Sequence, residues 1–349
     1  MKLFGAWGGG RFLDTKQVLH WVDCYESVGK AIFDNSGECS SYIYGSTLIS
    51  AAKFLGIREH HTMQVGFFLL LLLSFSLAWI LNLVKIREKR IFAGLILLSP
   101  PVLLLAERGN IDILMFLLIL VSAWMFNSDK KILGVLLLAL ACIVKFYAFP
   151  LFIVYVFYTS KKKVKVFITV VATVVLVRIF LDLRLIESSF PQIWGAQFGM
   201  SIWLRYAEKV GYYPSETATQ ISGLAVFIFI CVVIRQFYSI KLRMSGYSSQ
   251  MEFYFLVFFS VHLTCFLLGM SFDYRLVFLL ASALFFLDLM NPDGIQRTRV
   301  IQVLTLCSVW FVYESWVFQV VGDLTTEILT AMLLFPFLRI LLAKSELVK

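Results

Sequence analysis

The chain has 349 residues, 60% of them hydrophobic and only 15% charged, with a mean hydropathy of +0.85. Soluble domains run nearer half apolar and a quarter charged, so the composition excludes a soluble globular domain and predicts an all-α, polytopic membrane protein. A net charge of +9 raises nucleic acid as a partner, but the basic residues lie in short clusters between apolar runs, "KIREKR" (85–90), "KKKVK" (161–165) and "IKLRM" (240–244), as expected of residues that fix membrane orientation.

Residues 1–61 read as an amphipathic N-terminal region on the extracytoplasmic side. From His20 to Phe33 the apolar positions Trp21, Val22, Tyr25, Val28, Ile32 and Phe33 keep helical spacing, which predicts a helix lying on the outer surface. Asp23 sits beside Trp21 and Tyr25 near that greasy face. Burial there would raise its pKa and suit it to base work, whereas on an exposed face it is an ordinary helix aspartate. Cys24 and Cys39 share this polar segment and are close enough in sequence to pair if it faces an oxidising space. The other four cysteines, Cys142, Cys231, Cys265 and Cys307, lie in apolar runs and read as packing residues. No histidine or cysteine spacing suggests a metal site.

Residues 62–345 read as a transmembrane helical domain of about eleven hydrophobic segments, at 62–84, 91–106, 111–126, 132–144, 148–159, 166–183, 219–234, 251–269, 276–289, 300–318 and 325–342. Several of these are too short to require a full crossing. Alternating sides places seventeen Lys/Arg in the linkers of one face and six in those of the other, with six more in the N-terminal region. The richer face is cytoplasmic by the positive-inside rule. The N-terminal region, "ERGN", "KFYAFP", "SFDYR" and the loop 184–218 then fall outside. An outer N-terminus with no leading helix is awkward to insert, so a leading helix is expected to be missing, either lost from the gene or lying upstream of residue 1.

Three polar clusters interrupt the apolar runs on the outer face. Around "ERGN" the flanking runs are about 16 residues, or roughly 24 Å at 1.5 Å per residue. A hydrocarbon core is about 30 Å thick, so the turn lies below the surface, where an unpaired charge costs about 2.5–3.5 kcal/mol. Glu107, Arg108, Asn110 and Asp112 therefore line a wet cavity, or Glu107 and Arg108 pair across a tight turn with Gly109 at positive φ. Asn110 and Asp112 are also candidate caps of the next helix. In "ACIVKFYAFPLF" a helix breaks at Lys145, with Tyr147 beside it and Pro150 just beyond. That is an anion site at membrane depth or a lysine snorkelling from a helix end. In "SFDYRLVFLL", Arg275 offers a bidentate donor to a phosphate or pairs with Asp273, with Tyr274 between them. Loop 184–218 adds Trp194, Trp203, Tyr206, Tyr212 and Tyr213, an interfacial belt or a surface for sugar rings.

The ordered set "WVDCYESVGKAIFD…SYIYGSTLI", "ERGNIDILMFLLIL", "KFYAFPLF" and "FDYRLVFLL", from Trp21 to Leu280, resembles the family 87 glycosyltransferases. These are GT-C-fold membrane enzymes that include polyprenyl-phosphate-mannose-dependent mannosyltransferases of cell-envelope polysaccharide biosynthesis. The resemblance implies a GT-C-like helical bundle in the cell (inner) membrane, with its active site on the extracytoplasmic side. It implies Asp23 as general base, with Glu107, Asp112 and, more distantly, Asp14 in reserve. Arg108, Lys145 and Arg275 would hold the donor phosphate, while Tyr25, Glu107, Asn110, Asp112, Tyr147, Asp273 and Tyr274 would line the site. Tyr25 follows the aspartate more closely than the family pattern has it, and Ala148 and Phe149 separate the lysine turn from Pro150. The implied partners are a polyprenyl-phosphate sugar, a lipid or glycan acceptor and membrane lipids. No cofactor, metal or nucleic acid is expected. The same broken helices and cations would also suit a transporter or flippase of a lipid-linked saccharide.

Overall fold

The computed structural model describes residues 11–29, 46–83, 87–186, 197–198, 216–237, 249–267, 271–272, 275–290, 295–311 and 316–346. These residues are almost entirely helical. In chain order the helices are α1 (Leu13–Val28), α2 (Ser46–Phe54), α3 (Thr62–Leu83), α4 (Arg87–Leu97), α5 (Pro100–Arg108), α6 (Asp112–Asn127), α7 (Lys131–Val144) and α8 (Leu151–Tyr158). They continue as α9 (Lys162–Ile186), α10 (Glu216–Phe237), α11 (Ser249–Leu267), α12 (Leu276–Leu289), α13 (Ile295–Trp310) and α14 (Trp316–Glu346). One two-residue antiparallel ladder, β1 (Gln197–Phe198) with β2 (Ser271–Phe272), sets Gln197 opposite Phe272.

Among the described residues, four helical stretches are long and apolar enough to cross a membrane: Glu59–Leu83, Lys162–Asp182, Gln250–Leu267 and Gln319–Lys344. Arg90–Leu97 and Pro100–Arg108, bent by 49° at their junction, make a fifth if taken as one broken span. Among the described residues, the helices that meet this length are thus fewer than the eleven apolar segments. The reason is length: α6 and α7 have 16 and 14 residues, or about 24 and 21 Å at 1.5 Å per residue.

The chain divides into two compact units. Unit 1 comprises Met1–Ala78, Leu103–Phe152 and Lys161–Trp194. Here α1 and α2 pack through Val18, Trp21, Val22, Cys24 and Ile49, with Tyr25, Leu48 and Ala52 against them. The apolar spacing read from His20 belongs to α1, which begins earlier, at Leu13, while Ile32 and Phe33 lie outside the described residues. Helices α6 and α7 form a close hairpin. A Cβ on Gly134 would lie 2.8 Å from backbone atoms of Ser122 and Phe126, and Ser122 Oγ donates to the Gly134 carbonyl at 2.7 Å. Small residues that let helix backbones approach are the usual device where lipid supplies no hydrophobic drive. Helix α9 packs on α7, and Ser46 at the start of α2 donates to Asp182 of α9 at 3.0 Å.

Unit 2 comprises Trp79–Val102, Ile153–Ser160 and Gly195–Lys349. Its centre is α12, apolar all round, with 13 of its 14 residues buried, which is how a helix without a polar face is accommodated. Helix α11 packs along it through aromatic pairs, Tyr254 with Phe285 at 5.1 Å and Phe255 with Phe286 at 5.1 Å between ring centroids. Helices α13, α14 and α4 complete this layer, and α10 lies on α14.

Candidate functional site

The turn between α5 and α6 is built by local rules. Gly109, at φ 55, closes α5: its N–H bonds to the Ala106 carbonyl at 3.2 Å and that of Asn110 to Leu105 at 3.4 Å. This is the double bond of a Schellman ending, which needs a left-handed residue at Gly109. Asn110 Oδ1 then accepts the N–H of Asp112, first residue of α6, at 2.8 Å. The predicted positive φ is present. The N-cap of α6 is Ile111 rather than Asn110 or Asp112, and Asn110 serves the first helical N–H from one residue earlier, as an Asx turn.

On the other side, α7 ends where the sequence places the break. Lys145 has extended backbone, φ −145 and ψ 120, followed by a 3-10 turn at Phe146–Ala148. Pro150 immediately precedes α8, where its missing N–H costs no helix bond.

These two breaks meet. Lys145 Nζ lies 2.6 Å from Asp112 Oδ1 and 3.4 Å from Asn110 Oδ1. Tyr147 donates its hydroxyl to the same Asp112 oxygen at 2.6 Å. Asn110 Nδ2 reaches Asp14 Oδ2 at 2.5 Å, and Arg108 Nε donates to Asp14 Oδ1 at 2.7 Å, with its Nη2 also on that oxygen. Asp14, Asn110, Asp112, Lys145 and Tyr147 are all buried. One continuous network therefore runs Tyr147–Asp112–Lys145–Asn110–Asp14–Arg108, joining residues 33 to 96 positions apart. Two ion pairs balance within it, bridged by a neutral amide. Its exposure is graded: the Lys145 and Asp112 side chains are 4% and 0% exposed, those of Arg108 and Asp14 21% and 10%. The more exposed end is thus the Asp14–Arg108 pair.

Glu107 is half-buried beside Arg108. Its carbonyl accepts the Phe12 N–H at 2.8 Å, and its Oε2 is buried with no hydrogen-bond partner among the described residues.

Asp23 stands elsewhere on α1. Its side chain is 37% exposed, so the burial that would suit it to base work is not found. Arg58 Nε lies 3.6 Å from its Oδ1, and the Glu59 N–H donates to its Oδ2 at 3.1 Å. Arg58 also holds Glu26 at 2.5 Å, while Glu59 takes His20 at 2.9 Å and Lys16 at 3.6 Å. Tyr25 is at the α1–α2 contact, with the Lys53 ammonium 5.9 Å from its ring centroid. Arg275 belongs to unit 2, partly buried at the start of α12. Asp273, Tyr274, Cys39 and the aromatics Trp194, Trp203, Tyr206, Tyr212 and Tyr213 lie outside the described residues. Cys24 is disulfide-bonded, and the other four cysteines are free.

Sequence reasoning ranked Asp14 last among the carboxylates and did not single out Phe12 or Thr15. "RFLDTKQ" has neither an apolar run nor helical spacing to mark it. Its one local signal is an aspartate in the first turn of a helix, which more often marks a cap. Asp14 is selected by contacts from other parts of the chain: Thr15 Oγ1 to the Gly109 carbonyl at 2.5 Å and the Phe12 N–H to Glu107.

No curated protein and no solved structure matches the chain. One family model does, glycosyltransferase family 87, over residues 50–241. That range holds Arg108, Asn110, Asp112, Lys145 and Tyr147, and begins after Asp14 and Asp23.

Proposed function

The chain belongs to glycosyltransferase family 87, and from that premise we propose that it transfers a sugar from a polyprenyl-phosphate donor to an acceptor hydroxyl at the outer face of the membrane, with inversion and with Asp14 as general base. The observation that carries this reading is a carboxylate, Asp14, held against a cation, Arg108, at the more exposed end of an otherwise buried polar network. A glycosyl phosphate needs this pair of functions. One group takes a proton from the attacking hydroxyl, and another stabilises the negative charge that grows on the leaving phosphate.

In this mechanism the acceptor oxygen forms a bond to the anomeric carbon as its proton passes to an Asp14 carboxylate oxygen. The bond from the anomeric carbon to the phosphate oxygen breaks, and its electron pair leaves with the phosphate. Attack opposite the leaving group inverts the centre. No second carboxylate is required, because a phosphate departs without a general acid, unlike the alcohol released in glycoside hydrolysis. A guanidinium carries five N–H donors, so Arg108 holding Asp14 through two of them is compatible with its also meeting a phosphate oxygen. Lys145 acts from behind: it fixes Asp112 and the Asn110 carbonyl, and Asn110 in turn fixes Asp14.

One observation supports the outer face: a disulfide at Cys24 on α1 belongs to an oxidising compartment. Asp23 is the second candidate base, ranked below Asp14 because it is half-exposed and stands apart from the buried network.

The test is release of polyprenyl phosphate from radiolabelled polyprenyl-phosphate mannose and polyprenyl-phosphate glucose by the full-length protein in membranes. Turnover should fall by about 10²–10⁴-fold in Asp14→Asn and by no more than a few-fold in Asp23→Asn. The reverse order would return the base to Asp23, and vectorial movement of an intact lipid-linked sugar without bond cleavage would sink the transferase.

A further inference from the structure

Phe12 is the one non-glycine residue among those described with positive φ, 59. It is the residue immediately before α1, with ψ 40, and its carbonyl accepts the first helical N–H, that of Lys16, at 2.8 Å. Left-handed backbone is unfavourable for a bulky side chain and is cheap for glycine or asparagine. A phenylalanine there indicates that the ring has a task worth the conformation.

The ring occupies a socket made by two glycines, Gly66 on α3 and Gly109 in the α5–α6 turn. It is 5% exposed. A Cβ added to Gly66 of α3 would lie 2.3 Å from both Cγ and Cδ2 of Phe12, and one added to Gly109 would lie 2.9 Å from Cδ1. The edge of Phe67 closes the third side, 5.4 Å between ring centroids at 72°. Distances of this kind exclude any side chain at 66 without moving the ring. The backbone is held as well: the Phe12 N–H on Glu107 and the Thr15 hydroxyl on Gly109 bind the first turn of α1 to the end of α5.

Asp14 lies two residues beyond Phe12. The direction in which α1 leaves its first residue is set by the left-handed turn at Phe12, and that direction brings the Asp14 carboxylate onto Arg108 and Asn110. We propose that Phe12 is a positioning residue: its ring, seated between Gly66 and Gly109, holds the start of α1 so that Asp14 meets the acceptor in line with the donor. This rests on the reading of Asp14 as base. It gives the unused contacts of Phe12, Gly66 and Thr15 one role, and it makes a glycine on a membrane-spanning helix part of the apparatus that orients the base.

The experiment is a double-mutant cycle between Gly66→Ala and Phe12→Ala in the full-length protein reconstituted in nanodiscs, with whichever polyprenyl-phosphate hexose the parent protein turns over. Each single change should lower kcat by about 10–100-fold, the scale of a misplacement near 1 Å, while the donor KM stays within about twofold because Arg108 is retained. The double variant should be no slower than Phe12→Ala, since the methyl at 66 acts only by colliding with the ring. A second readout does not depend on turnover: Asp14→Cys, nearly buried in the parent background, should react faster with a membrane-impermeant maleimide once either change is added. Unchanged kcat in a folded Gly66→Ala variant, or effects that simply multiply, overturns the proposal. Loss of turnover in Asp14→Asn together with an indifferent Gly66→Ala removes the socket and leaves the base. Full turnover in Asp14→Asn removes the base, and the maleimide rates then decide the socket alone.

Discussion

Helix α1 carries two aspartate–arginine pairs nine residues apart, and their surroundings differ. Asp14 and Arg108 adjoin a buried network that reaches Lys145, Asp112 and Tyr147. Asp23 and Arg58 belong to a surface cluster with Glu26, Glu59, His20 and Lys16, whose side chains are 24–59% exposed. Water screens the second group, so each of its pairs is worth about 0–1 kcal/mol. In the first group a charge that loses its partner has nowhere to go, and the loss is about 3–5 kcal/mol. The comparison separates a carboxylate held in a buried network from one held in an exposed cluster, although a string of letters writes both as Asp with a distant Arg. The largest expected contrast between the two regions is the loss of turnover in Asp14→Asn against near-normal turnover in Asp23→Asn.

Next in size is the dry end of the network. Lys145→Met takes the ammonium from the Asp112 carboxyl, which is 0% exposed and keeps the Tyr147 hydroxyl, and is expected to cost about 3–5 kcal/mol. Thermal unfolding in detergent measures it. Adding Asp112→Leu should recover most of that stability, because an apolar pair of similar volume is tolerated where one buried charge is not. Turnover should stay low in the double variant, since Asn110 loses the ammonium and the α6 partner that orient it toward Asp14. Recovery of both stability and turnover would show that the Lys145–Asp112 pair is scaffolding alone.

The two breaks that build the site were legible for a physical reason. Apolar runs too short to cross a bilayer, separated by Glu107, Arg108, Asn110 and Asp112 or by Lys145, leave those groups no solvent at membrane depth, so they must find one another. Gly109 announced its left-handed turn, and Tyr147 came with the lysine. Asp14 was not legible in the same way. Nothing local distinguishes it from Asp23, which has the more suggestive aromatic neighbours; its rank depends on Phe12 settling against Gly66, a contact between residues 54 positions apart in sequence. The number of crossings was hidden for another reason. Hydropathy marks an apolar run of 14 or 16 residues, but whether it spans, breaks or turns back depends on the helices around it. The all-helical class and an amphipathic helix around Trp21, Val22 and Tyr25 follow from periodicity, which neighbours do not alter, although the helix begins at Leu13 rather than His20.

A smaller effect isolates one bond of the network. Tyr147→Phe removes the hydroxyl that donates to Asp112 at 2.6 Å and leaves the ring, which is 4% exposed, in its packing. A hydrogen bond to a charged group is worth about 1.5–3 kcal/mol, and Lys145 still neutralises the carboxylate, so the loss should fall at the lower end of that range. Turnover should drop less than in Lys145→Met, because the Lys145–Asn110 contact survives. A loss in turnover equal to that of Asp14→Asn, with stability unchanged, would instead put the Tyr147 hydroxyl in contact with the substrate.

The smallest expected change tests the surface pair. Asp23→Asn keeps an oxygen for the Glu59 N–H and loses only the attraction to Arg58 across 3.6 Å. Stability should fall by no more than about 1 kcal/mol, and the difference from the parent protein should vanish in about 1 M salt, where the screening length is about 3 Å. The penalty of Lys145→Met should persist in the same salt, because ions do not reach a pair buried to that degree. Melting curves of both variants at low and high salt therefore place each pair on one side of the comparison without reference to activity. If Asp23→Asn proved as costly in high salt as in low, its carboxylate would be shielded from water in the membrane-embedded protein. The case for preferring Asp14 as base would then have to rest on the turnover of the two asparagine variants alone.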